Sequence, residues 1–207
     1  MRILVADDHP IICIALGEML KTVFSGDDTG IEVVSDSDAL LSRLDASHDL
    51  LVLDLQMPGE LQSVRLLETI VARRPDLKVV VYTGQTHPSL ALAAFDLGAK
   101  GYALKSSGPH VAMEAIRAVS EGRTFLDPAV DIESARVHPW HQLTSGERQV
   151  LLALANNRNL QAIAIESGRS YKTVTTHKYN ALHKLGLRSN AEIGPYLAAH
   201  GLDYLLG

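Results

Sequence analysis

The chain has 207 residues, of which 46% are hydrophobic and 21% charged, and its net charge at pH 7 is −5. These values are ordinary for globular proteins, the length favours two domains, and the single cysteine excludes an internal disulfide. No apolar run approaches the roughly 18 to 20 residues that cross a bilayer, and no secretion signal is recognisable, so we expect a cytoplasmic protein with no membrane partner.

Charge is distributed unevenly along the chain. Residues 1–127 contain 18 acidic and 11 basic residues, whereas residues 128–207 contain 6 and 8. An acidic first half indicates an ion site there, and the mildly basic second half is consistent with a polyanionic partner.

The first half alternates short apolar runs with helical patterns, as repeated βα units do around a parallel sheet. Five strands are predicted, at residues 2–6, 31–35, 50–53, 78–82 and 101–104. Helical patterns lie near residues 10–23, 36–45, 62–74, 88–98 and 109–121, with Gly98 and Gly122 at helix ends. The predicted fold class is therefore α/β, a doubly wound five-stranded parallel sheet, in a domain of residues 1–124.

The second half contains helical patterns only. Residues 125–141 include the stretch "DPAVDIESARVHPWH", which has two prolines and no sustained period, and they are interpreted as a linker. In residues 142–207, Thr144 and Glu147 form a capping-box pattern, and a short helix ended by Gly168 follows. A longer polar helix from Ser170 to Gly186 and a fourth helix capped by Asn190 complete an all-α helix-turn-helix domain.

Polar residues follow four of the predicted strands. Asp7 and Asp8 end the first strand, Asp54 the third, Thr83 the fourth and Lys105 the fifth. Ligands of open parallel sheets bind beyond this edge, and three carboxylates brought together there need a cation. Magnesium suits Asp8 and Asp54 as direct ligands and Asp7 through water, so that Asp54 could attack a phosphoryl group whose oxygens contact Lys105 and Thr83.

The stretches "VADDHP", "LVLDLQMPG", "VVVYTG" and "GYALK" resemble the signatures of response-regulator receiver domains, which have a flavodoxin-like fold. The resemblance covers residues 1 to about 122 and implies Mg²⁺ as cofactor and phosphorylation by a histidine kinase or phosphotransfer protein. The roles it implies are phosphoacceptor for Asp54, metal binding for Asp7, Asp8, Asp54 and the backbone carbonyl of Gln56, and phosphate contact or switching for Thr83, Lys105 and Tyr102.

Two features near this edge need separate interpretation. The stretch "MPGELQSVRLL" lacks the glycine that the family usually has before the third helix, so we expect the loop beside Asp54 to differ in shape. His9 could be a ligand or a phosphodonor, but it is interpreted as the residue that turns the chain into its first helix, beside Pro10.

The longer polar helix of the second half has two distinct faces. Val174, Ala181 and Leu185 form the inward stripe, with His177 partly covered. The outward face contains Lys172, Thr175, Thr176 and Tyr179, with Lys178, Lys184 and Arg188 placed to meet phosphates. A solvated helix face is the alternative, but a short helix and a tight turn before it favour insertion into a DNA groove.

The stretches "LTSGERQVL", "IAIESGRSYKTVTTHKYNALHKLGL" and "NAEI" resemble the DNA-binding domain of the NarL/LuxR (FixJ-type) family, and within it the Rcs phosphorelay regulators. The resemblance implies double-stranded DNA as partner and a homodimer paired through the fourth helix. It assigns base contacts to Thr175, Thr176 and Tyr179, and backbone contacts to Lys172 and Lys178.

Together these features predict a DNA-binding transcriptional response regulator, not an enzyme, in which phosphorylation of Asp54 controls dimerisation and DNA binding. The alternative is a phosphorylation-independent DNA-binding regulator whose receiver domain dimerises or binds an auxiliary transcription regulator. A hydrolase with an aspartate nucleophile would have a second aspartate two residues after Asp54, where Gln56 stands.

Overall fold

The computed structural model describes residues 1–24, 30–45 and 47–206. The chain divides into two units, Met1–Asp131 and Ile132–Gly207, and the division falls within segment 125–141. Residue 207, the last of the predicted DNA-binding domain, lies outside the described residues. Among the helices that are described, none combines the length and the apolar character needed to span a membrane.

The first unit contains one parallel sheet, which in the described residues has six strands in the order β2-β1-β3-β4-β5-β6. The strands are β1 (Arg2–Ala6), β2 (Gly30–Val34), β3 (Leu50–Leu53), β4 (Lys78–Thr83), β5 (Gly101–Leu104) and β6 (Phe125–Leu126). The predicted fold class is confirmed, but the predicted number of five strands was wrong. The sixth strand pairs only Phe125 with Gly101 and Leu126 with Tyr102, and two residues are too short to show a period.

Helices cover both faces of this sheet. They are α1 (Pro10–Val23), α2 (Ser37–Arg43), α3 (Ser63–Arg73), α4 (Pro88–Leu97) and α5 (Pro109–Ser120). Val5 and Val80 form one core with Leu16 of α1 and Ile116 of α5. Leu4, whose side chain points to the opposite face, is also fully buried, so apolar runs such as "ILVA" are explained by burial on both sides.

The second unit is helical, as predicted. Its helices are α6 (Ile132–Arg136), α7 (Ser145–Ala155), α8 (Leu160–Glu166), α9 (Tyr171–Leu185) and α10 (Ile193–Ala199). They enclose a core that includes Trp140, the only tryptophan of the chain. Asn190 does not cap the last helix: it begins a 3-10 turn whose N-cap residue is Ser189, and α10 follows.

The strand order reverses at β1, because β2 lies on one side of it and β3 on the other. At such a reversal the loops after neighbouring strands diverge and leave a crevice at their carboxyl ends. The residues that follow β1 and β3 therefore occupy the position where this fold binds ligands.

Candidate metal centre and nucleic-acid interface

An acidic cluster lies at this crevice. Ala6 pairs with Leu53 across β1 and β3, which places Asp7 beside Asp54. Both side chains are buried, whereas Asp8 is exposed. Ligand atoms of the three carboxylates and of the His9 ring all lie within 4.8 Å of one another. Because buried like charges repel, the arrangement needs a positive charge among the carboxylates.

Lys105 supplies a positive charge from the end of β5. Its Nζ lies 2.6 Å from Oδ2 of Asp54 and 2.8 Å from Oδ2 of Asp7. Burial acts to lower the pKa of Lys105, but the hydrogen bonds to Asp54 and Asp7 outweigh burial and raise the pKa above its ordinary value. The ammonium is therefore charged at neutral pH, and the carboxylates are arranged to bind a cation.

His9 contributes its ring as well as its backbone. It is the N-cap residue of α1, as the sequence predicted, and its backbone N–H donates to Oδ1 of Asp7 over 2.9 Å. Its Nδ1, however, lies 2.8 Å from Oδ1 of Asp8 and 3.0 Å from Oδ1 of Asp7. The interpretation of His9 as the residue that starts the first helix therefore describes its backbone, while its ring also contacts the carboxylates of Asp7 and Asp8.

The cluster fits a hard divalent cation. Carboxylate oxygens are the ligands that Mg²⁺ prefers in proteins, and Asp8 is open to solvent, so an ion can enter. The backbone N–H of Gln56 donates to Oδ1 of Asp54 over 3.1 Å. That bond holds the backbone of Gln56 beside the Asp54 carboxylate. The carbonyl of Gln56 is expected to bind the same metal ion as that carboxylate.

Thr83 and Tyr102 are both fully buried on neighbouring strands. The hydroxyl oxygen of Thr83 accepts the backbone N–H of Gln85 over 3.3 Å, and the Tyr102 hydroxyl donates to the carbonyl of Gln85 over 2.9 Å. Burial, and then the charge of Asp54, raise the pKa of the Tyr102 phenol above its ordinary value. The two predicted switch residues are thus joined through Gln85, which sequence reasoning did not single out.

The loop after β3 has an unusual backbone conformation. Ser63, the first residue of α3, has φ of 53° and donates its N–H to the carbonyl of Leu55 over 2.9 Å. Left-handed backbone favours glycine, since a Cβ is strained there. Ser63 thus has a backbone conformation that favours glycine, within the stretch from which the expected glycine is missing.

The helix α9 forms as the sequence indicates. Ser170 accepts the N–H of Thr173 at its start, and Gly186 ends it with φ of 69°. The predicted inward residues Val174, Ala181 and Leu185 are all buried in the core of the second unit. The opposite face is therefore the surface available to a partner.

That opposite face presents an aromatic ring, cations and hydroxyl groups. Tyr179 is 64% exposed, and Nζ of Lys178 lies 4.9 Å from the centre of its ring. The hydroxyls of Thr175 and Thr176 donate to the helix carbonyls four residues earlier, each over 2.9 Å. Their oxygen lone pairs and methyl groups are left to meet base donors and thymine methyl groups.

Lys184 differs from the sequence expectation. Its Nζ lies 2.7 Å from Oε2 of Glu147 and donates to the carbonyl of Gln142 over 3.3 Å. The ammonium therefore pairs within the second unit instead of pointing to a phosphate, because Glu147 of the α7 capping box lies beneath it.

Tyr171 was missed by sequence reasoning. It is the first residue of α9 and is 56% exposed. Together with Arg158 and Asn190 it lines a cleft of about 390 Å³ at that end of the helix. Its place directly after the N-cap Ser170 was the available signal, since residues at the start of a recognition helix reach DNA.

Two family models match the chain. One, described as a response regulator receiver domain, matches residues 3–117, which is more than half of the chain. The other, described as bacterial regulatory proteins of the luxR family, matches residues 141–196. The matches therefore cover both units.

Proteins and solved structures are similar over nearly the whole length. The response regulator GacA of Pseudomonas aeruginosa is 28% identical over 214 residues, covering 98% of this chain and 97% of the relative. The transcriptional regulatory protein RcsB of Escherichia coli is 30% identical over 211 residues, covering 96% and 94%.

Among solved structures, two RcsB dimers bound to two parallel DNAs give a TM-score of 0.65 at 29% identity, covering 96% of this chain and 98% of that chain. RcsB from Salmonella enterica serovar Typhimurium, bound to promoter rprA in the presence of phosphomimetic BeF3−, gives 0.64 at 28% identity with the same coverage.

Proposed function

The chain belongs to the response regulators that join a receiver domain to a luxR-type domain, and from this premise we propose that it accepts a phosphoryl group on Asp54 and binds double-stranded DNA through α9. The observation that carries the first part is the position of Asp54. Its carboxylate is buried at the end of a central strand, 2.6 Å from a lysine ammonium and beside Asp7. An aspartate with only a structural role would not need both a lysine ammonium and a second buried carboxylate beside it.

The proposed step is a phosphoryl transfer. A carboxylate oxygen of Asp54 forms a bond to phosphorus, and the bond between phosphorus and the donor breaks, so that its electron pair leaves with the donor. The donor is a phosphohistidine of a histidine kinase or phosphotransfer protein, or a small acyl phosphate. Gln56 holds the carboxylate through its N–H, and Lys105 is placed to neutralise phosphoryl oxygens.

We propose Mg²⁺ as the cofactor of this step. Asp7, Asp8, Asp54 and the carbonyl of Gln56 would hold the ion. When bound, it supplies positive charge that offsets the repulsion between the carboxylates and an incoming phosphoryl group. The chain's own part is to hold Asp7 and Asp54 close together, which Lys105 does through both of its short contacts.

For the second unit, we propose that Thr175, Thr176 and Tyr179 contact base edges while Lys172 and Lys178 contact phosphates. Support comes from the exposure of Lys172, Thr176 and Tyr179 and from the burial of the opposite face. Structures of RcsB are described as dimers on DNA, and a homodimer that places two copies of α9 on successive half-sites is proposed here by analogy.

Phosphorylation can control DNA binding only if it favours the DNA-competent state over the other state. The alternative function, a regulator that binds DNA or an auxiliary transcription regulator without phosphorylation, predicts equal affinity for DNA with and without the modification. Measuring DNA affinity and oligomeric state together, before and after phosphorylation, distinguishes the two.

Intact mass spectrometry after incubation with acetyl phosphate and Mg²⁺ tests the phosphoacceptor. A labile phosphoryl adduct is expected on the wild-type chain and on Asp96→Ala, which changes an exposed aspartate of α4, but not on Asp54→Ala. No adduct on the wild-type chain, or an adduct that persists in Asp54→Ala, would contradict the proposal.

Gel-shift titrations at stated salt test the DNA interface. Combining Thr176→Ala with Tyr179→Ala should abolish discrimination between specific and unrelated DNA, whereas the exposed Val137→Ala on the same unit should change nothing. Unchanged specificity in the double variant would show that α9 does not contact the bases.

A further inference from the structure

Asp127 is a buried carboxylate that lies outside the acidic cluster. Its side chain is only 2% exposed. Oδ2 accepts the backbone N–H of Leu104 and Oδ1 accepts that of Ala129, each over 2.9 Å. A carboxylate is buried at this depth only if hydrogen bonds replace its water, so both amides are needed to hold it.

The bond to Leu104 extends the edge of the sheet beyond β6. Strand β6 ends at Leu126, whose backbone pairs with Tyr102. The Asp127 side chain then accepts the next available N–H of β5, as a strand carbonyl would if β6 continued. Leu104 directly precedes Lys105, so Asp127 holds the backbone of the residue from which the chain continues to the lysine of the acidic cluster.

A second path reaches Asp127 from the switch residues. The N–H of Asp127 donates to the carbonyl of Tyr102 over 2.8 Å. The Tyr102 hydroxyl donates to the carbonyl of Gln85, and the N–H of Gln85 donates to Thr83. Hydrogen bonds therefore link Asp127 to both groups that are expected to contact a phosphoryl group, Lys105 through Leu104 and Thr83 through Tyr102.

Asp127 also shapes the chain that leaves the first unit. Its carbonyl accepts the N–H of Val130 over 2.9 Å, and Oδ1 holds Ala129. These bonds make a turn over residues 127–130, just before the unit ends at Asp131. A shift of Leu104 or Tyr102 would therefore displace the turn over residues 127–130, at the start of the segment that leads to the helical unit.

We propose that Asp127 is a positioning residue that couples the phosphoacceptor site to the segment 125–131. It holds Lys105 through Leu104 and transmits displacement of β5 to the chain that leaves the receiver domain. This inference rests on phosphorylation of Asp54 as proposed above, and it adds a residue and a route that phosphorylation alone does not require.

Hydrogen-deuterium exchange of the full-length wild-type chain is the first test, with and without beryllofluoride and Mg²⁺ as phosphoryl mimic. Exchange in the segment 125–131 and at Leu104 should change together with exchange in the loop after β3. Changes in that loop alone would overturn the inference while leaving the phosphoacceptor proposal intact. No change in either region, together with no acetyl phosphate adduct, would contradict the phosphoacceptor proposal instead.

Asp127→Asn is the second test, because an amide keeps the shape but offers one acceptor and places a donor against a backbone N–H. Asp49→Asn is the matched control, since Asp49 also accepts a backbone N–H, from Arg2, at the amino ends of β1 and β3 and thus at the edge of the sheet opposite to the acidic cluster. Phosphorylation by acetyl phosphate should slow by roughly 3- to 10-fold in Asp127→Asn. The mimic-dependent change in exchange over 125–131 should also disappear.

The control should keep both properties, even if its melting temperature falls. A melting-temperature loss in Asp127→Asn without either effect would overturn the coupling role. If Asp127→Asn does not fold, Tyr102→Phe gives the same test on the other path: it removes the bond to Gln85 and should reduce the mimic-dependent change at 125–131. An unaltered change would contradict the inference.

Discussion

The ammonium of Lys105 lies 2.6 Å from Oδ2 of Asp54, so the proposed phosphoacceptor is paired with a cation of its own chain. Removing one member of a buried pair leaves the other charge uncompensated. A divalent cation that binds the folded chain can supply the missing charge and thereby stabilise that state.

We therefore expect Lys105→Met to lower the free energy of unfolding of the first unit by about 2 to 3 kcal/mol without divalent cations. Saturating Mg²⁺ should raise the free energy of unfolding of Lys105→Met by more than it raises that of the wild-type chain. Urea unfolding with and without Mg²⁺ measures this, and Lys100→Met, at an exposed lysine before β5, is the control. An equal Mg²⁺ effect in all three chains would contradict the expectation.

Replacing Ser63 by glycine should stabilise the first unit. Left-handed backbone costs an L residue about 1 to 2 kcal/mol, and glycine loses part of that gain through its greater freedom in the unfolded chain, so a net gain of about 0.5 to 1 kcal/mol is expected. Ser63→Ala keeps the strain and should give no gain. Unfolding monitored by far-UV circular dichroism compares the three chains, and equal stability of the two variants would refute the strain.

Glu147 should be important to the second unit. It completes the α7 capping box by accepting the N–H of Thr144 over 2.8 Å, and it pairs with Lys184. Glu147→Ala should cost about 2 kcal/mol, and Glu147→Gln, which keeps the accepting oxygen, about half of that. Trp140 lies in the same core, so its fluorescence in urea monitors the transition. Equal losses in the two variants would assign the effect to the ion pair alone.

The same residue gives the helical unit an acid dependence. Burial acts to raise the pKa of Glu147, but the bonds with Lys184 and Thr144 outweigh it and hold the pKa below its ordinary value. The stabilisation is therefore present above about pH 4.5 and is lost as the pH falls through the lower folded-state pKa. Glu147→Gln should flatten this part of the stability profile.

His138 makes the stability of the helical unit depend on pH in a second, higher range. Burial, and then His200 and His141, lower its pKa, and Tyr196 lies 3.4 Å from its Nε2. The unfolded chain binds a proton more readily, so stability present above about pH 6.5 is lost as the pH falls through the folded-state pKa. His138→Asn keeps an acceptor for the N–H of Trp140 but cannot titrate. Unfolding midpoints across this range should vary less in the variant.

Lys178→Ala should weaken binding to all DNA sequences alike. A lysine that contacts a phosphate releases about one counterion, so the slope of log affinity against log salt should fall by about 1. Arg136→Ala removes an exposed charge from α6 and should leave the slope unchanged. Equal slopes in both variants would place Lys178 away from the phosphates.

The sequence predicted most elements because their periods and ends are local properties. The alternating first half, the Thr144–Glu147 capping box and Gly186 at the end of α9 all appear in the structure. Local patterns failed where a partner is distant in sequence. The pairing of Lys184 with Glu147 joins α9 to α7, and β6 exists only because two residues reach the edge of β5.

The candidate site shows the same division. Strand ends placed Asp7, Asp54 and Lys105 at one edge, and they lie within hydrogen-bonding distance in the structure. The sequence could not predict which groups the ring of His9 contacts, since its distances to Asp7 and Asp8 depend on the three-dimensional path of the chain into α1. Asp127 could not be found either, because its position in "FLDPAVD" looks like an ordinary turn until β5 lies beside it.

The order β2-β1-β3-β4-β5-β6 also bears on synthesis of the chain. Once β1 has neighbours on both sides, every later strand adds to the same growing edge in the order in which it leaves the ribosome. Contacts within the helical unit are closer in sequence than those between parallel strands, and such topologies fold faster. The receiver sheet can therefore assemble progressively during translation and close with Asp127, while the helical unit, synthesised after the sheet, is expected to fold faster than the sheet does.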